Sequence, residues 1–307
     1  MAEGKWIPGL SATMPAVDAA RRTLRIRLEV INHHLIGALR HPEKDPEFVH
    51  QLRVGVRRAA AALDIFAPLL PEKNYDSAFK KLRELRRSAG RARDWDVFLL
   101  AMAEQEAAPG IDFLIGYGVS RRLRAQNRLA ATGTTYAQEA EGFADDLIMS
   151  LRGDDTQTLH ALGRPILLDQ LEQFRQAVGR DLNDYEQLHR VRIVGKRLRY
   201  AMELFADCFE PQFREQLYPR IEAMQEILGR ANDSHVASQL LAELRTRLRT
   251  FSSWPRYRPD FERLIRFHRR RLPTERRRFL RWWEQWQQDH IDCEFAKLLE
   301  QPVIERK

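Results

Sequence analysis

The chain repeats itself without a gap. His50-Gln-Leu-Arg53-Val-Gly-Val-Arg57-Arg58 aligns with His189-Arg-Val-Arg192-Ile-Val-Gly-Lys196-Arg197, an offset of 139 residues (189 − 50). The same offset pairs Asp64-Ile-Phe66-Ala67 with Glu203-Leu-Phe205-Ala206, and Leu82 with Ile221. It also pairs Gly90-Arg91-Ala92-Arg93-Asp94 with Gly229-Arg230-Ala231-Asn232-Asp233, and Asp45 with Asp184. An ungapped match of this extent is hard to produce by chance and points to a duplication. Its period is far longer than the roughly 20–50 residues of a solenoid repeat. The expected outcome is two similar four-helix-bundle-like halves, 1–152 and 153–307, related by a pseudo-twofold axis with a basic cleft where they meet.

The texture of both halves is helical. Segments rich in Ala, Leu, Arg, Glu and Gln carry apolar residues at spacings of three and four, and no strand-and-hairpin pattern appears. The periodicity predicts helices over 15–40, 46–69, 73–90, 94–107, 111–130 and 134–151 in the first half. In the second half it predicts 160–180, 185–208, 212–229, 233–250, 259–271 and 274–300. Asp45 and Asp184 are placed as N-caps, with Pro46 at a first helical position, and Pro71, Gly110 and Gly229 at breaks. Asp94 and Asp233, each after a Gly-Arg-Ala-X string, are also expected to be N-caps rather than catalytic acids. The fold class is all-α.

A helical wheel separates the repeated residues by role. At about 100° per residue, Val49, Leu52, Val56, Ala59, Leu63 and Phe66 cluster around ~220° from His50, as a core-facing stripe. His50, Arg53 and Arg57 fall near ~0°, ~300° and ~340°, beside that core. In the second copy His189, Arg192 and Lys196 take the same three angles, joined by Arg199 at ~280°. Arg58 and Arg197 sit on the other flank. Like charges four apart repel by a few tenths of a kcal/mol. A repeated cationic stripe is therefore most easily stabilised by a bound anion. For a single arginine, the simpler expectation is a solvated face paired with carboxylates of neighbouring helices. A lone histidine here would be hydrogen-bonded within the bundle.

Charge and composition agree with an anionic partner. The 51 Lys+Arg against 43 Asp+Glu give a formal net charge of +8, and 43 of the 51 are arginine. Arginine offers a planar fork of donors that matches phosphate oxygens, although a GC-rich genome would also favour it. Cys208 and Cys293 form neither a disulfide framework nor a metal cluster, and they favour a reducing compartment. The start of the chain lacks the pattern of a secretory signal, and no run approaches the ~18 apolar residues of a membrane span. The expected setting is cytoplasmic, with no membrane association.

The strings HQLRVGVRR (50–58), GRARDWDV (90–97), HRVRIVGKRLRYAMELF (189–205) and LGRANDSHV (228–236) resemble the signature segments of the CHAD family, the conserved histidine α-helical domain. The resemblance covers residues 12–290 as one domain with both motif copies in order. It implies two four-helix bundles around a basic cavity or surface that binds inorganic polyphosphate, often in association with polyphosphate granules. The family's positions carry over to His50, Arg53, Arg57 and Arg58, and to His189, Arg192, Lys196, Arg197 and Arg199. Lys81, Arg86, Arg93 and Arg220 complete the candidate polyphosphate-binding set. The second copy departs from the first: Asn232 stands opposite Arg93, and Gln225 and Glu226 stand opposite Arg86 and Arg87. No triphosphate-processing module of the CYTH type is seen. The expectation is a non-catalytic binder with no cofactor, monomeric or homodimeric, the internal duplication making a monomer plausible.

Three other chemistries compete with this reading. Glu47-Phe-Val-His50 and Glu186-Gln-Leu-His189 have the Glu-x-x-His spacing of di-iron bundles, but each histidine shares its face with cations that disfavour a divalent metal. Nonspecific nucleic-acid binding is favoured by the segment 244–281, with 14 Arg against three acids and with Trp254, Tyr257, Phe267, Trp282 and Trp283 interleaved. These aromatics are expected chiefly to form the core face of the terminal helices. A histidine-based phosphate enzyme lacks a nucleophile–base–orienter set, a Gly-rich phosphate loop and an acidic Mg²⁺ site.

Overall fold

A computed structural model describes residues 4–41, 46–153 and 156–300. Among the described residues nine α-helices run in order: α1 (Ala16–Arg40), α2 (Glu47–Ile65), α3 (Glu72–Ala103), α4 (Pro109–Met149), α5 (Leu159–Val178), α6 (Tyr185–Phe205), α7 (Tyr218–Leu248), α8 (Trp254–Gln288) and α9 (Ile291–Glu300). Short 3-10 turns at Ala67–Leu69 and Ala206–Cys208 follow α2 and α6, and a π-helical turn (Phe213–Leu217) leads into α7. Among the described residues there is no strand, only an isolated bridge between Pro15 and Thr158. No described helix is long and apolar enough to cross a membrane.

Fewer and longer helices form than the sequence pattern predicts. The segments 73–90 and 94–107 are one helix, α3, so Asp94 lies in mid-helix and caps nothing. Likewise 212–229 and 233–250 join in α7, with Gly229 and Asp233 inside it. An interior glycine costs a helix only about 1 kcal/mol, which packing along the rest of the element outweighs. The segments 111–130 and 134–151 join across Gly133 in α4. That glycine serves close approach instead: a Cβ there would stand 2.8 Å from Leu35 Cδ1 of α1. The expected gap near Pro273 is also absent. Helix α8 passes through Pro259 and Pro273 and breaks only at His290, whose φ is 52°. The N-cap assigned to Asp184 is found, its carboxylate accepting from Glu186 N at 3.0 Å. Asp45 lies outside the described residues, and Pro46 occupies the N-cap position of α2.

Helix α2 packs on α1 and α3, and α4 closes the group against α1 and α3. In the second half α6 packs on α5 and α7, while α8 and α9 cover α7 and α5. The stripe expected to face inward does so: Val49, Leu52, Val56, Ala59, Leu63 and Phe66 are each fully buried. One apolar core runs through both halves. A second cluster joins Met102, Ile111 and Leu114 to Leu241, Leu244, Phe261, Leu264 and Ile265, so α8 also clamps the end of α4. The aromatics of 244–281 divide. Trp254 and Tyr257 pack on that second cluster, Trp282 and Trp283 pack around Phe174, and Phe267 departs from the core expectation with 53% of its surface exposed.

Helices α2 and α6 also touch one another, and the contact holds a buried ion pair. Arg58 Nε donates to Glu203 Oε2 at 2.7 Å, with side chains 4% and 0% exposed. Glu203 Oε1 accepts from the Tyr218 hydroxyl at 2.8 Å and lies 3.6 Å from Arg199 Nη1. Arg27 of α1, itself 2% exposed, also feels the Glu203 charge. One carboxylate thus answers three guanidinium groups from α1, α2 and α6. Breaking a buried pair typically costs about 3–5 kcal/mol because a charge is stranded. In chemical denaturation, Glu203→Gln, which removes the carboxylate that the three arginines share, is expected to destabilise the chain by about that amount. Arg58→Met leaves Glu203 its other partners and is expected to cost clearly less.

Candidate functional site

The cationic stripes of α2 and α6 face each other across this contact. From α2 come His50, Arg53 and Arg57; from α6 come Arg192, Lys196 and Arg199. Arg53 is close enough to depress Arg192, and Arg57 feels Arg53, Arg199 and Arg192. An aspartate of the next helix lies in the field of each stripe. Arg53 Nη1 donates to Asp94 Oδ1 of α3 at 2.6 Å, and Arg192 feels the charge of Asp233 of α7. Neither aspartate caps a helix; Asp94 holds Arg53, and Asp233 acts on Arg192 through its charge. They recur at the same 139-residue offset as the arginines, which was the available signal.

The electrostatics are those of crowded, partly desolvated cations. Burial lowers the Arg57 guanidinium below its ordinary value, opposed by Tyr200 and reinforced by the arginines around it. Burial also lowers Arg192, with Asp233 and Tyr185 opposing. Arg199 is raised: burial pulls it down, but Tyr200, Glu203 and Tyr218 outweigh that. Lys196 has no such compensation. Burial, then Arg192, Arg57, Arg53 and Arg199, push its amine down to about 6. The His50 imidazole is lowered first by burial and then by Arg93 of α3, with Glu47 opposing. The Nε atoms of Arg57, Arg192 and Arg199 and the Nδ1 of His189 are buried without a hydrogen-bond partner among the described residues. The three Nε–H groups are donors left unmatched among the described residues.

The other candidate residues are placed elsewhere or at the margin. His189 stands beside Tyr185 (ring centroids 5.9 Å), which stacks on His235 at 3.4 Å. Arg58 is inside, committed to Glu203. Arg197 and Arg86 are exposed and both lie in the field of Asp64. Lys81 turns to α4, where it pairs with Glu139 and lies over the Phe143 ring. Arg220 is bound to Asp289 at 2.7 Å, where α7 meets the turn after α8. Arg27, which supports the cluster from below, carries no repeat signature and was not anticipated. The two Glu-x-x-His motifs do not converge. Among the described residues, no three His, Cys, Asp or Glu side chains are grouped to hold a metal ion.

Lys196 makes a stability prediction. Between its ordinary value of 10.5 and about 6 the amine is neutral in the folded chain and protonated in the unfolded chain. Protonation therefore favours unfolding, and this contribution weakens the free chain progressively as pH falls through that window. Lys196→Met, which keeps the stem and removes the amine, is expected to raise the Tm at neutral pH by a few degrees. The gain should shrink toward pH 10, as read by thermal unfolding across pH.

A family model described as the CHAD domain matches residues 22–242. Among solved structures, the crystal structure of the CHAD domain from the plant Ricinus communis superposes with a TM-score of 0.69 at 25% identity, covering 88% of this chain and 91% of that one. PptA from Streptomyces chartreusis superposes with a TM-score of 0.67 at 18% identity, covering 88% of this chain and 99% of that one. A search of curated proteins finds no match. The match of the family model, over well more than half of the chain, together with the likeness of the fold, places this protein in the CHAD domain family.

Proposed function

We propose that the chain is a non-catalytic binder of inorganic polyphosphate, gripped in a basic cleft between two duplicated halves. The observation that carries this is the crowding of Arg53, Arg57, Arg192, Lys196 and Arg199 from two facing helices, close enough that their charges depress Arg57, Arg192 and Lys196. Polyphosphate has no base edges, so it can be recognised only by charge density and by the shape of the groove. Donors fixed by packing and aimed from both sides meet that requirement. The family's association with polyphosphate points the same way.

Duplication is supported by contacts as well as by sequence. Arg58 and Glu203 meet between α2 and α6; the residues at the repeat-related positions, Arg197 and Asp64, interact reciprocally between the same two helices. The 3-10 turns at 67–69 and 206–208 also stand 139 residues apart. A pseudo-twofold axis between α2 and α6 accounts for both. Because the two stripes belong to one chain, the site needs no second copy.

Binding rather than turnover follows from the protonation of the site. A neutral Lys196 amine could attack phosphorus only while uncharged. An arriving phosphate chain raises its pKa and converts it to ammonium, which is a contact and not a nucleophile. The guanidiniums around it stabilise charge and supply neither attack nor proton removal. A chain held this way would be recruited to polyphosphate-rich granules in the cytoplasm.

Two measurements test this. Replacing Arg53, Arg57, Arg192 and Arg199 with Gln is expected to weaken polyphosphate at least about a hundredfold, since charge-assisted bonds contribute about 1.5–3 kcal/mol each. The affinity of the parent chain should also fall steeply with salt as counterions are released. Unchanged affinity in the folded variant would sink the proposal. In calorimetry across buffers of different ionisation enthalpy, binding near neutral pH should take up a proton. Affinity should rise as pH falls toward the Lys196 value of about 6. Lys196→Met should abolish most of that uptake.

A further inference from the structure

Helix α8 carries a second basic surface that the cluster between α2 and α6 does not use. Phe261, Leu264, Ile265, Phe279 and Trp286 are its buried face. At about 100° per residue, Phe267 then falls on a flank about 110° away, amid Arg263, Arg266, Arg270, Arg271 and Arg278. These residues line an open concavity of about 730 Å³ whose lining has five arginines and one carboxylate, Glu275; Arg263 is also held by Asp260 at 3.6 Å. Glu275 is 1% exposed and is spent from beneath. It accepts from Arg278 at 2.8 Å and from Arg230 of α7 at 3.1 Å, with Arg271 at 3.7 Å. The buried acid thus fixes the bases of the arginines while the outer rim, including exposed Arg266 and Arg270, stays cationic.

Phe267 distinguishes this face from a second polyphosphate groove. The ring is 53% exposed in the middle of the basic run, and the Arg271 guanidinium lies over it at 5.8 Å. A phosphate chain has nothing to place on an aromatic ring, whereas a nucleobase does. In a duplex the base faces are already stacked and out of reach, so the partner is single-stranded. The stripe from Arg263 to Arg278 is about 22 Å long, enough for several nucleotides. We infer that this face of α8 binds single-stranded nucleic acid, with backbone phosphates on Arg263, Arg266 and Arg270 and a base stacked on Phe267.

The test uses the full chain and fluorescence anisotropy. The probes are labelled oligo-dT and oligo-rU of roughly 12 nucleotides, within the range one single-strand site spans, with an abasic strand and a duplex of equal length as controls. Phe267→Ala is expected to weaken base-bearing strands about fivefold or more, to leave the abasic strand unchanged, and to be rescued by Phe267→Tyr. Arg266→Gln with Arg270→Gln should weaken every strand and leave polyphosphate binding intact. The four-arginine variant of the α2–α6 cluster should do the reverse. Preference for oligo-dT or oligo-rU assigns the sugar. Three results would overturn the inference: no effect of Phe267→Ala, an abasic strand or duplex bound as tightly as the base-bearing strand, or oligonucleotide binding lost only in the α2–α6 variant.

Discussion

Everything about the α2–α6 contact depends on one buried carboxylate. Two helices that each present a line of cations would repel on approach. Glu203, placed beneath the line rather than within it, draws Arg58, Arg199 and Arg27 inward and lets α1, α2 and α6 meet. Its second oxygen is held by the Tyr218 hydroxyl, so the charge is also hydrogen-bonded, the condition under which a buried ion is tolerated. The geometry divides the labour: acids below and at the rim set positions, and the face between the helices remains cationic.

The N-terminal segment adds to this from an unexpected direction. Lys5 pairs with Glu222 of α7 at 3.0 Å and lies over the Tyr218 ring at 4.4 Å, while Trp6 sits between Tyr218 and Arg214. The backbone bonds Ala16 N to Gln157 O and Leu159 N to Met14 O tie the beginning of α1 to the beginning of α5. Residues near the start of the chain are thus built into contacts with α5 and α7.

Much of this was legible in the sequence, because the features that carry it are local and repeated. The inward stripe of α2 and the outward stripe beside it follow from a helical period, and every residue of the inward stripe is buried as the wheel requires. Helix ends were less legible. Gly90, Gly229, Gly133 and Pro273 look like breaks when only local propensity is weighed, but long-range packing runs the helices through them. The roles of Asp94 and Asp233 were misassigned for the same reason: an aspartate after a glycine fits a cap until the helix turns out to continue. Arg58 lay on the right helix yet points inward, since only the partner helix decides which flank of a stripe is covered. Arg27 and Glu222 have no repeat signature and could be found only in three dimensions.

The lowered amine of Lys196 and the unmatched guanidinium donors around it mean that the free chain holds its binding face at the expense of its own folding. An anion that relieves this crowding stabilises the folded state by the logarithm of its concentration over Kd. In a cell, a fold close to its threshold is triaged by chaperones and proteases according to the fraction unfolded. Abundance of the protein would then track the supply of such an anion: scarce anion, rapid turnover; plentiful anion, a longer-lived pool. The repulsion inside the site would act as a gauge of demand, with no separate regulator to read it.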